Sequence, residues 1–293
     1  MHELKRHADR RPRAARAPAR EMAASWDPLL RFSHRGSQPR VDDGSDTSPP
    51  AATPGKMSGP PRRPHLEDTM PDLATLDLDA LLAGARAEVT TEPDGAIPHL
   101  VELHRRGSRD IFERAVVACA ATSADERALG ARILRELGGS PPRFAADAVA
   151  VLAPMLRTEP SPKVLRWVIS AIGYQHAPGH LRAGLATAPA VLAATLACAT
   201  HADDDVRFAV AAALPALVDL AAPEPAAIRV LLALATDPLA DTRYYALAAL
   251  TDDLGLVAHP DVRAALASRR AEDADAQIRT AAGRVLSGGT WAE

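Results

Sequence analysis

Aromatic side chains are scarce: ten in 293 residues, or 3% of a chain that is nonetheless 47% hydrophobic. Sandwiches and barrels draw on aromatic and β-branched residues in alternation, so this shortage disfavours a β architecture. Cysteine appears only as Cys119 and Cys198. Two thiols make neither a disulfide framework nor a cysteine zinc site, and they suit a reducing, cytoplasmic setting. No apolar run is long enough to cross a bilayer, and the arginine-rich start lacks the apolar stretch of a secretory signal. Lysine is nearly missing, with three residues against 31 arginines. Beyond residue 70 the acidic groups outnumber the basic ones by seven. A duplex-binding surface needs a field of cations to displace counterions from phosphate, so nucleic acid is disfavoured as a partner, and no membrane partner is expected. Walker phosphate loops, GxGxxG, GxSxG and HExxH are all lacking, so no cofactor and no catalytic residue is expected.

Alanine is what the chain has in abundance, at 63 residues. It costs least in a helix and lets helix axes approach closely. Residues 1–70 are rich in proline, glycine, serine and arginine, carry a net charge of +4 and show no helical or strand period. Such a stretch buries too little apolar surface to offset the entropy of ordering it, and a disordered tail is expected there. Met57 and Met70, close to the first periodic segment, are alternative starts. From Leu73 onward apolar residues recur at spacings of three and four between short Asp, Gly, Pro or Ser breaks. The spacing predicts helices near 73–90, 97–106, 109–121, 124–138, 144–157, 162–174, 189–200, 203–219, 225–236, 239–251, 259–270 and 275–287. Pro189, Pro225, Pro238 and Pro260 suit first turns. Residues 71–293 are therefore expected to form one all-α domain.

An internal period appears when the chain is aligned on Arg127, Arg166, Arg207, Arg243 and Arg279, which are 39, 41, 36 and 36 residues apart. Three places on stand Gly130, Ile169, Val210, Ala246 and Ala282; six on stand Ile133, Ile172, Ala213, Ala249 and Val285. The best copies read DDDVRFAVAAAL, DPLADTRYYALAAL and EDADAQIRTAAGRVL. This pattern resembles the HEAT-repeat family, in particular bacterial HEAT-like proteins of the phycobilisome-lyase type, whose units read roughly Asp-Pro-Asp-x-x-Val-Arg-x-x-Ala-x-x-Ala-Leu. Asp237 and Asp273 match the first aspartate of that unit, six before the arginine, whereas Ala121, Pro160 and His201 replace it elsewhere. The resemblance implies an α-solenoid, a superhelix of antiparallel helix pairs with about five repeats over 109–287. The helices at 73–90 and 97–106 would cap its N-terminal end. Single hairpins cannot bury their apolar faces, so units must stack. The five arginines, with Asp237 and Asp273, are expected to be structural anchors that fix the angle between hairpins.

The resemblance also implies that the second helix of each pair lines a concave face. At about 100° per residue, the position after each arginine points away from the packed side. Ala128, Trp167, Phe208, Tyr244 and Thr280 occupy it, with Tyr174 on the same strip and Arg132, Arg135 and Arg284 at its ends. These residues are expected either to form an exposed track for a segment of another protein or to fill grooves between second helices. A non-enzymatic protein-binding scaffold follows. The alternative is a HEAT-type enzyme, such as an alkylpurine DNA glycosylase or a bilin lyase. The acidic balance weighs against the glycosylase, and nothing separate ties the chain to tetrapyrroles. Deoxyhypusine hydroxylase uses repeated His-Glu pairs, and the chain has one, His2-Glu3, in the tail. His176 with His180, His99 with His104, and His201 beside Asp203 to Asp205 were the histidine groups to test as metal ligands, and none is expected to be a metal site.

Overall fold

A computed structural model of the protein describes residues 72–91, 96–138, 143–177 and 185–292. The tail expected over 1–70 lies outside them, as does His180. Twelve α-helices make up the described chain, and no strand occurs among these residues. They are α1 (Leu78–Thr91), α2 (Pro98–Arg106), α3 (Arg109–Cys119), α4 (Ala124–Glu136), α5 (Ala145–Thr158), α6 (Pro162–His176), α7 (Pro189–Ala197), α8 (Asp204–Leu217), α9 (Pro225–Leu234), α10 (Ala240–Ala248), α11 (Pro260–Glu272) and α12 (Ala276–Leu286). The segment expected as one helix over 73–90 is a 3-10 turn at Leu73–Thr75 followed by α1. The one expected over 239–251 stops at Ala248 and widens into a π turn at Ala249–Asp253.

Consecutive helices pair, α3 with α4 through α11 with α12, giving five stacked units, and the α1–α2 pair packs on α4 as a cap. Second helices α4, α6 and α8 lie against one another over much of their length, while the first helices α3, α5, α7 and α9 touch only briefly. A row that packs closely beside a row that splays must curve toward the close row, so the second helices form the concave side. Close approach needs small residues. A Cβ at Gly173 of α6 would come within 2.7 Å of the Ala213 Cβ of α8. At the far end α10 and α12 meet over a short stretch only.

Arginine holds the units in register by one repeated arrangement. In Arg127, Arg207, Arg243 and Arg279, the Nη1 donates to two carbonyl oxygens of the preceding turn, five and six residues back, at 2.6–3.1 Å. The other edge of the guanidinium reaches the next unit. Arg127 pairs bidentately with Glu159 at 2.8 Å through both nitrogens. Arg207 pairs with Asp237 at 2.6 and 3.2 Å, and Arg243 with Asp273 at 2.9 and 2.7 Å. Each acceptor also receives the backbone N–H two residues on, at Ser161, Leu239 and Asp275, all at 2.9 Å. One carboxylate thus caps its own turn and clamps the unit before it through a charge-assisted fork. Hydrogen bonds from Arg127 hold the Glu159 carboxyl below its ordinary range. Burial pushes Asp273 upward, but bonds from Arg243 and the Asp275 N–H outweigh it and keep it low.

Arg166 breaks the series. The turn that should offer it a carboxylate carries His201, whose Nδ1 accepts the Asp203 N–H at 3.0 Å. The imidazole performs the capping half of the task and cannot accept a guanidinium fork. Arg166 turns instead to Asp205 on α8, and its Nε is buried with no partner.

Candidate concave binding face

The sequence expects a line of rings on the second helices, and the structure brings them onto the inner row in two groups. On α4 and α6 the rings lie under guanidinium groups. Arg132 stands 4.3 Å from the Trp167 ring centre and Arg166 5.2 Å, while Arg135 stands 5.0 Å from Tyr174. Cations over indole and phenol faces contribute roughly 0.5–2 kcal/mol each, depending on desolvation. On α8 and α10 the rings meet edge to face, Phe208 with Tyr245 at 5.1 Å, Tyr245 with Tyr244 at 5.7 Å, and Tyr244 with Trp291 at 5.4 Å.

The strip is less open than helix geometry alone predicts. Phe208 is buried, with 8% of its surface exposed, because Tyr245 of the next unit covers it. Arg132 and Arg135, expected at a polar end, are buried at 5% and 8%, since their side chains lie over the rings of the neighbouring helix. Trp167, Tyr174 and Tyr244 are half-buried, each showing part of its ring. Filling of inter-helix grooves and partial exposure therefore coexist along one face.

Tyr244 and Arg284, both expected on the strip, stand at one groove. They line a groove of about 390 Å³ between α10 and α12 with Thr280, Gln277 and Trp291. Trp291, unmarked by any period in the sequence, belongs to a strap formed by residues 287–292. Gly288 turns the chain with φ +94°, and Gly289 crosses α12 so closely that a Cβ there would come within 2.8 Å of the Arg284 Cγ. The Trp291 backbone N–H then donates to both oxygens of Asp252 at 2.9 and 3.1 Å. Its ring is 1% exposed and closes the last core. Asp252 stands on the π turn, where a widened backbone re-aims side chains. Its neighbour Asp253 is pushed up to about 7, by burial first and by the charge of Asp252 second.

Other chemically capable residues are occupied structurally. Burial pushes the Cys119 thiol up to about 12 and raises Cys198 as well, which disfavours the thiolate at both. The His99 Nδ1 lies 2.5 Å from Glu88, and the His104 Nε2 donates to the Arg132 carbonyl at 3.0 Å. The His176 Nδ1 donates to the Ile172 carbonyl at 2.9 Å. No group of three His, Cys, Asp or Glu placed to hold a metal occurs among the described residues. No helix there is long and apolar enough to cross a membrane.

Solved structures share the fold. The crystal structure of E. coli YibA is similar over 73% of this chain and 75% of its own, with a TM-score of 0.57 and 20% identity. A designed armadillo repeat protein in complex with the peptide (KR)4 aligns over 72% of this chain and 99% of its own, with a TM-score of 0.46 and 14% identity. No protein-family model and no curated protein matches the chain. Together with the coordinates, the similarity to YibA shows a helical-repeat solenoid fold.

Proposed function

We propose that this protein is a HEAT-like scaffold of the cytoplasm that binds a segment of another protein along the concave row of α4, α6, α8, α10 and α12. The single observation behind this reading is that the row's half-exposed rings are fixed before any ligand arrives. Trp167 and Tyr174 are held by guanidinium groups and Tyr244 by two neighbouring rings. Rigid aromatic faces give contact area without the cost of ordering side chains on binding, which is how a few residues come to dominate an interface. Arg284, half-buried at the C-terminal end of the row, supplies donors for the carbonyls and carboxylates of a peptide. The net negative charge of the folded region favours a protein over a polynucleotide.

Selection from a random-peptide phage library on the full chain tests the reading, followed by hydrogen–deuterium exchange with a selected synthetic peptide. Slower exchange in α6, α8, α10 and α12 is the expected result. Enrichment of no peptide, or protection confined to α5, α7 and α9, would reject it.

A further inference from the structure

The groove between α10 and α12 differs in kind from the rest of the face. It is open, and one cation stands in it without a carboxylate. Arg284 donates through Nη1 to the carbonyls of Thr290 and Trp291, at 3.4 and 3.0 Å. Elsewhere Arg127, Arg207 and Arg243 have their carboxylate forks, Arg166 has Asp205 and Arg135 has Glu136. A guanidinium carries five N–H donors. Two carbonyls on one nitrogen leave Nε and Nη2, the edge that Arg127, Arg207 and Arg243 give to a carboxylate. No Asp or Glu lines the groove among the described residues, in a folded region where acidic groups are in excess.

This arginine is also held in place. Gly289 packs on its stem, its Nη1 is bound to the strap, and the strap is tied to Asp252 through the Trp291 N–H. Tyr244 walls the groove, its ring backed by the buried Trp291 ring at 5.4 Å, and Thr280 is exposed beside it. A volume of about 390 Å³ suits one or two side chains. A phosphate backbone would need several cations in line, and the groove offers one.

We infer that this groove, at the C-terminal end of the concave face and within the peptide-binding reading above, takes a Glu or Asp side chain of an extended partner peptide, with Arg284 as its bidentate partner and Tyr244 as its apolar wall. Acidic peptides are thereby selected over neutral or basic ones.

Fluorescence anisotropy with the full chain decides it, using three labelled probes: an octapeptide alternating Glu and Leu, its Gln counterpart, and an eight-nucleotide oligothymidylate. The Glu peptide should bind about tenfold tighter than the Gln peptide or more, as expected for a charge-assisted fork. Thr280→Glu lies outside the strap, so it should weaken the Glu peptide about tenfold at unchanged melting temperature and leave the Gln peptide alone. Arg284→Gln should match it, and Thr280→Arg should strengthen the Glu peptide. Equal affinities for the two peptides, indifference to Thr280→Glu, or tighter binding of the oligothymidylate would each overturn the carboxylate pocket. If both peptides bind alike and protect α6, α8 and α10, the pocket falls and the peptide-binding face stands. If neither peptide binds and phage selection is also blank, both fall together.

Discussion

Replacing His201 by aspartate should mend the interrupted arginine series and stabilise the fold. Three intact rungs show what the mended one requires: a carboxylate whose oxygens meet Nε and Nη2 at 2.6–3.2 Å while one of them still accepts the N–H two residues on. At position 201 the second bond already exists, from the Asp203 N–H to the imidazole, so an aspartate keeps the cap. It also gives the buried, unpartnered Nε of Arg166 an acceptor. Hydrogen bonds to charged groups contribute about 1.5–3 kcal/mol net. Against that stands the loss of Arg166–Asp205, whose carboxylate is half-exposed at 53%, and such pairs are worth less than about 1 kcal/mol. Repulsion from Asp203, Asp204 and Asp205 is screened at the surface and subtracts some tenths more. A net gain of roughly 1–2 kcal/mol remains, equal to a rise of about 2–8 °C in melting temperature for a fold of this size. Urea unfolding followed by circular dichroism would measure it. His201→Asn keeps the cap without the charge and should gain little, and the gain from aspartate should vanish when Arg166 is replaced by Met. An unchanged or lowered midpoint for His201→Asp would refute the proposed cause of the break.

The remaining predictions follow the same geometry. Arg243→Ala strands Asp273, whose side chain is fully buried, and should cost about 3–5 kcal/mol in urea unfolding. Arg207→Ala should follow it and Arg166→Ala should cost least, and a reversed order would contradict the rung assignment. Gly173→Ala drives a methyl group to within 2.7 Å of the Ala213 Cβ and should destabilise by about 1–3 kcal/mol, with recovery when Ala213→Gly is added. Asp253 has a folded-state pKa of about 7, above the roughly 3.9 of an unfolded chain, so its ionisation weakens the fold progressively between those values and fully above pH 7. Asp253→Asn should therefore raise the melting temperature at pH 8 and leave it unaltered at pH 4. Equal shifts at both pH values would count against a buried, titrating carboxyl.

Helix number and the five-unit period were readable because each rests on local spacing. The partners of the arginines were readable only where the spacing is regular. Asp237 and Asp273 stand six before the next arginine, but Glu159 stands seven before Arg166, so a fixed alignment lands on Pro160 and passes over the acceptor. His201 looked like a metal-ligand candidate or a departure from pattern, and its capping role depends on a backbone N–H that no sequence displays. Rotation per residue puts Trp167, Phe208 and Tyr244 on one side of their helices. It could not foresee burial of Phe208, which is decided by Tyr245 one unit away. The strap was missed for a related reason. Residues 287–292 have no period, and Trp291 is fixed by Asp252 of the preceding unit, 39 residues earlier.

A double-mutant cycle on Arg243 and Asp273 tests most directly whether neighbouring units are locked by these rungs. The two residues are 30 apart in sequence and joined by bonds of 2.7 and 2.9 Å. Arg243→Met and Asp273→Asn, alone and together, should show a coupling energy of about 2–3 kcal/mol in urea unfolding, within the range for residues in direct contact. Strictly additive effects would mean that the two do not meet across the unit boundary, and the stacking described here would be wrong.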